Sequence, residues 1–448
     1  MYIGHLDIAA FRTFRKASLD FVHAQQDFAA LGMPAPRLRN MNLLLGNNGS
    51  GKSSVLRAIA LAALGPAVVD SGIYPDRLVR REPKVVGKIQ LGREAAIDAV
   101  FVPHEQDLLT ARLPNSRGKT SASLAPELRP LHSEVRVFRK TDLEQLRWLG
   151  HHEISEGESE KDWQDDMKED YPRRWEPIFS SQSQAFFVAG YGATRRVDRA
   201  ESAPSSRERR VFERAQRVMS LFEDDTPLVP LARWLPALKT VNKGRYAQVV
   251  HLIDRLLVGE KYHFTGQMEG QEFLFERGGL GVPFRNLSDG YRGYLGWICD
   301  LLYHICSTCP PAGKLVDNFG MVLVDEIDLH LHPQWQMTVL QTLSKVLPNI
   351  QFVVTSHSPL VVSSLEWMNI IVMQPGPGQS SVARRIEWAV HGLDADQVLL
   401  TDFFGLESTR AAGKKRQLKD LSLKARDGDS DAALKLLQQM SAGVEMAK

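Results

Sequence analysis

The sequence predicts an α/β fold in which buried strands deliver polar residues to one edge of a sheet. Three observations carry that expectation. The apolar run Asn42-Leu43-Leu44-Leu45 leads through a glycine-rich turn into helical spacing from Ser53 to Leu64, stopped by Gly65-Pro66. Two more apolar runs end in Asp325-Glu326 and in Ser356-His357. Ser288-Asp289-Gly290-Tyr291 opens an amphipathic helix with apolar positions Tyr291, Tyr294, Leu295, Ile298, Leu301, Leu302 and Ile305, closed by Pro310-Pro311.

At 448 residues the chain has room for two or three domains, and 43% hydrophobic with 24% charged residues is an ordinary globular balance. A net charge of +2 gives no whole-molecule attraction to nucleic acid or membrane, so any such partner needs a local patch. No apolar run reaches membrane-spanning length, and Met1-Tyr2-Ile3-Gly4-His5 opens no signal-peptide pattern. Three cysteines make no disulfide framework. The expectation is a soluble cytoplasmic protein with no membrane partner.

In chain order, Tyr2–Ile8 and Ser18–Val22 read as strands around Phe11-Arg12-Thr13-Phe14-Arg15. Arg12 or Arg15 could reach a phosphate there, or be a solvated loop arginine. Gly46-Asn47-Asn48-Gly49-Ser50-Gly51-Lys52-Ser53 then fits GxxxxGK[ST] at every fixed position. In that pattern the glycines turn backbone N–H groups inward around a β-phosphate, and the helix beginning through Ser53 and Ser54 adds its dipole. Lys52 supplies a cation and the Ser53 hydroxyl a Mg²⁺ ligand. The chemistry calls for a nucleoside triphosphate.

Ala95–Val102 alternates like a strand, after which the signal weakens up to Pro177. An acidic run, Glu153 to Asp170, reads as a solvated insert or as a docking surface. Gln182–Arg196 is an apolar strand ending in Gly190-Tyr191-Gly192-Ala193-Thr194-Arg195-Arg196. Arg199, Arg207, Arg209, Arg210, Arg214 and Arg217 follow, either as an ion-paired helix face or as a phosphate-backbone contact. Residues 228–257 have helical spacing, and short strands lie near Tyr262–Phe264 and Phe273–Phe275. No long heptad pattern or internal repeat is present.

Gly320–Glu326 has Walker B character: Asp325 for Mg²⁺ and Glu326 to orient and deprotonate water. Gln351–Pro359 brings His357 to a strand end, where it suits a γ-phosphate sensor. His330 and His332 tempt a zinc reading, as do Cys299, His304, Cys306 and Cys309, but neither group has a full ligand set. Asp394-Ala395-Asp396 and Asp427-Gly428-Asp429 have the letters of a nuclease motif, yet each precedes a helix pattern and reads as a cap.

The order and spacing of these motifs resemble an ABC-type ATPase head, with LSDGY as signature, DLHLHP as D-loop and TSHSP as switch-histidine loop. The resemblance implies ATP and Mg²⁺, a mixed sheet, a helical subdomain, an insertion and no long coiled coil. It also implies that Ser288, Asp289 and Gly290 cap the nucleotide of a second copy in a head-to-tail dimer or higher homo-oligomer. The family's Q-loop glutamine has four candidates, Gln90, Gln106, Gln182 and Gln184. Unlike transporter subunits, the chain lacks LSGGQ, and HLDIAAFRTFRKASLDF with EIDLHLHP resembles the RecF, structural-maintenance-of-chromosomes and overcoming-lysogenization-defect group. YGATRR, LFEDDTPLVPLARWL and HGLDADQVLLTDFFGLESTR look like PtuA-like ATPases of Septu and retron-linked antiphage sets, which implies a separate nuclease effector. The alternative is a RecF-like DNA-repair ATPase, for which the arginine cluster and a basic tail from Arg410 to Arg426 would hold DNA. Expected domains are 1–102 with the phosphate loop, 103–185 as acidic insertion, 186–286 as helical and arginine-rich, 287–410 as the second half of the head, and 411–448 as basic tail.

Overall fold

Short strands that are apolar on both faces need cover on both sides, which parallel sheets receive from flanking layers. A computed structural model describes the chain except residues 31, 84–88, 105–106, 108–129, 141–142, 150–174, 176–177, 179–184, 198–212, 258, 260–261, 311, 407, 409–411, 427 and 442–448. The described residues divide into two compact units, Met1–Gly392 and Leu393–Lys448.

The larger unit is built on two sheets. The antiparallel sheet begins with β1 (Tyr2–Phe11) and β2 (Phe14–Asp20); β3 (Met41–Gly46) belongs to the other sheet. A small pair, β4 (Arg81–Pro83) and β5 (Ile89–Leu91), precedes β6 (Glu94–Val102), β7 (Leu131–Lys140) and β8 (Leu143–Leu149). The order β2-β1-β6-β7-β8 makes five antiparallel strands. The second sheet uses β9 (Val188–Tyr191), β15 (Gly320–Val324), β16 (Ile350–Ser356), β17 (Ile370–Gly376) and β18 (Ser380–Arg384). Its order is β18-β17-β3-β16-β15-β9, all parallel except the edge strand β18. This is the expected mixed sheet of an α/β head.

Helix α1 (Lys52–Ala63) packs against strands of both sheets, and its apolar sequence is buried on nearly every side. Two buried amides stitch the layers directly. Asn42 of β3 donates to the Val22 carbonyl and accepts from the Val22 N–H, both at 2.8 Å. Gln351 of β16 accepts from the Ile3 N–H at 2.8 Å and donates to the Ile3 and Val22 carbonyls at 2.9 Å. Polar side chains inside apolar strands are thereby matched to backbone groups that would otherwise be buried without partners.

Short β10 (Arg196–Val197) and β11 (Pro227–Leu228) flank α2 (Glu213–Gln216). Helices α3 (Leu231–Val241) and α4 (Lys243–Leu256) lead to a meander of β12 (His263–Glu269), β13 (Glu272–Arg277) and β14 (Leu280–Pro283). The amphipathic helix is α5 (Asp289–Thr308), which packs on α3 and α4. After β15 come α6 (Pro333–Gln336), α7 (Val339–Val346) and, following β16, α8 (Pro359–Ser363). The smaller unit holds α9 (Ala395–Leu399), α10 (Ala412–Arg426) and α11 (Ser430–Ser441), the last two packed together. No described helix is long and apolar enough to cross a membrane.

Two boundaries differ from expectation. Residues 131–149, set apart as insertion, form β7 and β8 of the antiparallel sheet, because their alternation continues β6 rather than starting a new core. The division between units falls after Gly392, not after 410. The acidic run Glu153 to Asp170 lies outside the described residues. The cap readings hold: the Asp394 N–H donates to Gln397, and Asp429 accepts the Asp431 and Ala432 N–H groups at 3.0 Å.

Gln351→Leu should cost about 3 kcal/mol of folding stability, since the Ile3 N–H loses its acceptor inside the core. Chemical denaturation checks this; a loss below about 0.5 kcal/mol, the range of a neutral surface change, would show that the amide clasp is dispensable.

Candidate functional site

Every residue of the candidate site is set by a strand end. β3 turns into the phosphate loop at Gly46, where an added Cβ would lie 2.4 Å from the Met373 carbonyl oxygen of β17. Gly51 has φ +99° and caps α1; a Cβ there would sit 2.5 Å from the Phe14 ring and the Thr13 hydroxyl. Only glycine fits between the helix start and the β1–β2 turn. No side chain caps α1, so its first N–H groups keep the open end an anion requires.

Lys52 is buried, and its ammonium donates to Gly46 O at 2.7 Å, Asn47 O at 3.2 Å and His357 Nε2 at 2.8 Å. Burial lowers its pKa, opposed by Asp325, Glu326 and Asp328. Burial also lowers that of His357, helped by the Lys52 charge and opposed by Asp328, Glu326 and Asp325. The histidine is therefore a neutral acceptor at Nε2 in this arrangement.

β15 ends in Asp325 and Glu326. The Thr355 hydroxyl on β16 donates to Asp325 Oδ1 at 2.6 Å and accepts the Glu326 N–H at 2.7 Å. From the segment just past β9, the other neighbouring strand, Arg195 donates to the Asp325 carbonyl and, at 2.8 Å, to the Glu326 carbonyl. Burial pulls the Arg195 guanidinium down to about 10, against the pull of Asp325, Asp328 and Glu326. Glu326 itself stands at φ +48°.

The residue set fits a Mg²⁺-nucleotide. Ser50 Oγ in the loop, Thr13 Oγ1 against Gly51, and Asp328 Oδ1 are buried without a protein partner, which is costly unless a polar ligand or water satisfies them. Ser53, half-buried at the start of α1, and Asp325 are the oxygen ligands at hand for Mg²⁺. Asn47, Asn48 and Gly49 form the exposed crest of the loop, and Ser54 is buried behind it.

The structure thus brings together Lys52, Asp325, Glu326 and His357. It does not join Ser288, Asp289 and Gly290 to the phosphate loop by any hydrogen bond among the described residues. Ser288 and Asp289 are exposed at the start of α5, Asp289 paired with Arg292, while Gly290 packs closely on the His330 carbonyl of the D-loop. Arg12 also lacks a hydrogen bond to the loop: its N–H donates to Leu78 O, and its charge faces Arg57, Asp76 and Glu144. Thr13 and Phe14 are the residues there that lie against Gly51.

Strand β9 beside β15 ends at Tyr191, and neither it nor the Gly192-Ala193-Thr194-Arg195 that follows offers a glutamine. Gln90 lies on β5 in the small pair, and Gln106, Gln182 and Gln184 fall outside the described residues. From the sequence alone, Arg195 falls at the end of an apolar run and is given no role at the site. Arg214 and Arg217 are buried as well, Arg214 donating to the Ala185 carbonyl at 2.6 Å and Arg217 lying over the Phe187 ring. His332 Nδ1 accepts the Gln334 N–H at 3.3 Å as a helix cap.

Residues 191–363 match the family model "AAA domain, putative AbiEii toxin, Type IV TA system", and residues 5–102 match a second "AAA domain" model. Septu protein PtuA of Bacillus mycoides (strain KBAB4) is 22% identical over 408 residues, 91% of this chain and 45% of that protein. The Retron Vc95 probable ATPase of Vibrio cholerae serotype O1 biovar El Tor is 38% identical over 89 residues, 20% of this chain and 17% of that one. Among solved structures, the SMC head domain from Thermotoga maritima is 14% identical, covering 87% of this chain and all of that one, with a TM-score of 0.43. Two stretches of the chain thus match AAA-domain models, and the chain is similar to Septu PtuA and to the retron ATPases. It spans less than half the length of these curated relatives.

The depressed pKa of His357 has a testable sign. The unfolded chain binds this proton more readily than the folded one, so the stability contribution is fully present above about pH 6.5 and is lost as pH falls through the folded value. Ring NMR of the nucleotide-free protein should show His357 titrating below 6.5; a midpoint above it would show that the three carboxylates outweigh burial and the Lys52 charge.

Proposed function

We propose that this chain binds and hydrolyses ATP with Mg²⁺ and acts as a nucleotide-gated switch on a separate effector, a nuclease, in bacterial antiphage defence. One observation carries the catalytic part: Lys52, Asp325, Glu326 and His357 converge from three adjacent strand ends of one parallel sheet. On this reading Lys52, Asn47, Asn48, Ser50 and the loop N–H groups hold the phosphates, while Ser53 and Asp325 hold Mg²⁺. Glu326 takes a proton from water as the water oxygen bonds to the γ-phosphorus. The bond to the β–γ bridging oxygen breaks, and ADP carries the charge away. His357 trades its contact with Lys52 for one with the γ-phosphate.

The defence part rests on the similarity to Septu PtuA and the retron ATPase, and a switch suits a head that itself carries no recognised nuclease motif. The DNA-repair alternative loses Arg214 and Arg217, which are committed to the interior, while Arg199, Arg207, Arg209 and Arg210 lie outside the described residues. Ser288, exposed and unconnected to its own loop, suits closure over the nucleotide of a second copy in a head-to-tail dimer.

Glu326→Gln keeps the shape of the side chain but not its basicity. ATP should bind as before while turnover slows about a hundredfold or more. Turnover at the wild-type rate would remove Glu326 as the base.

The trans arrangement is tested by mixing. Ser288→Arg and Lys52→Ala proteins should each be inactive, yet a mixed dimer has one site with both lesions and one with neither. Partial recovery of ATPase activity is expected; no recovery, with mixed dimers shown to form, sinks the shared site.

A further inference from the structure

Glu326 occupies left-handed backbone space, φ +48°, that a glutamate has no intrinsic reason to choose. Two side chains grip it, one from β16 and one from the segment just past β9. From β16, the Thr355 hydroxyl accepts the Glu326 N–H at 2.7 Å and spends its one proton on Asp325 Oδ1 at 2.6 Å. Just past the end of β9, Arg195 Nη2 donates to the Glu326 carbonyl at 2.8 Å and to the Asp325 carbonyl, while its Nε donates to Gly192 O at 3.1 Å. The guanidinium plane lies 5.9 Å from the Trp297 ring of α5. The N–H and the C=O of Glu326 are therefore fixed from opposite sides by residues far away in the chain. Thr355 is wholly buried, so its hydroxyl has no water to turn to.

We infer that Arg195 and Thr355 are positioning residues which hold Glu326 in its left-handed conformation and so aim its carboxylate at the attacking water. Neither needs to touch nucleotide. The inference rests on Glu326 being the base, as proposed above, and adds what keeps that base in line. Arginine is required at 195 because a planar fork can serve two peptide carbonyls and Gly192 at once, which a lysine ammonium on a flexible stem does less well. A misaligned base of this sort costs about a hundredfold in rate with little effect on binding, because alignment matters chiefly in the transition state.

The test measures single-turnover ATP hydrolysis and ATP affinity, at saturating Mg²⁺, for Arg195→Ala, Arg195→Lys, Thr355→Val and Thr355→Ser, each alone and combined with Glu326→Gln. Arg195→Ala and Thr355→Val should slow the chemical step about tenfold to a hundredfold with ATP affinity within about twofold. Thr355→Ser should stay near wild type, and guanidinium added at millimolar concentration should recover part of the rate of Arg195→Ala. In the Glu326→Gln background, neither Arg195→Ala nor Thr355→Val should slow the residual reaction further, because residues acting through one group are not additive. A merely structural role predicts the opposite, with affinity lost and slowing retained in that background; that result overturns the inference. If Glu326→Gln is slow but Arg195→Ala and Thr355→Val are not, the brace fails and the base stands. If Glu326→Gln turns over at the wild-type rate, the base fails and the brace with it. Should Arg195→Ala not fold, the Thr355→Val and Thr355→Ser pair decides.

Discussion

A lysine ammonium withdrawn from water must find acceptors and counter-charges inside the fold, and Lys52 sets that requirement for the whole site. Its own loop meets the first need through Gly46 and Asn47 carbonyls, which forces the loop to curl over the lysine. The second need is met by Asp325, Glu326 and Asp328, which arrive from another strand. Those acids can stand there only because β3 and β15 are separated by a single strand, β16. That middle strand supplies Thr355 to one neighbour and His357 to the other. Sheet order and site chemistry are thus one constraint seen twice.

The same economy governs how the sheets are joined. β3 and β16 carry the loop and the histidine at one end and the buried amides Asn42 and Gln351 nearer the other. Those amides satisfy backbone groups of Ile3 and Val22 and so fix the antiparallel sheet over α1. The β1–β2 turn then has no choice but to land on Gly51, with Thr13 and Phe14 against it. Arg80 secures the arrangement from outside, donating to the Thr13 carbonyl and, at 3.2 and 3.1 Å, to the carbonyls of Gly378 and Gln379 beside β18. A nucleotide site built this way is held by backbone contacts to both sheets.

How much of this was legible in the sequence follows from the range of each interaction. The phosphate loop, the strand before it and the helix after it are local, so Gly46 to Ala63 could be read almost to the residue. Asp325, Glu326 and His357 were legible because apolar runs that end in polar residues place those residues at strand ends. What escaped is what depends on distant partners. Arg195 meets carbonyls 130 and 131 residues away, and in the sequence it is one arginine among many. Strands β7, β17 and β18 take their register from neighbours already in place, and β14 was hidden by its glycines. Arg12 was singled out in its turn, yet it is Thr13, a less conspicuous residue, that packs on the loop.

Helix α5 is tied to β15 more closely than its distance in sequence implies. The Tyr191 carbonyl accepts the Asp325 N–H at 2.8 Å, and the hydroxyl of the same tyrosine donates to Asp300 of α5 at 2.9 Å. Asp300 also accepts the Val229 N–H at 2.8 Å, and His304 lies 3.3 Å away, so this carboxylate is satisfied in the interior. Trp297, one turn earlier on α5, lies under Arg195, and Gly290 at the helix start rests on the D-loop carbonyl of His330. Of these contacts along one helix, Gly290 reaches the segment after β15 directly, while Asp300 and Trp297 reach it through Tyr191 and Arg195 at the end of β9. Rotating α5 about its own axis would strain all of them together, the Gly290 contact at the helix start included. A helix held both at its middle and at Gly290 leaves only Ser288 and Asp289 exposed at its start.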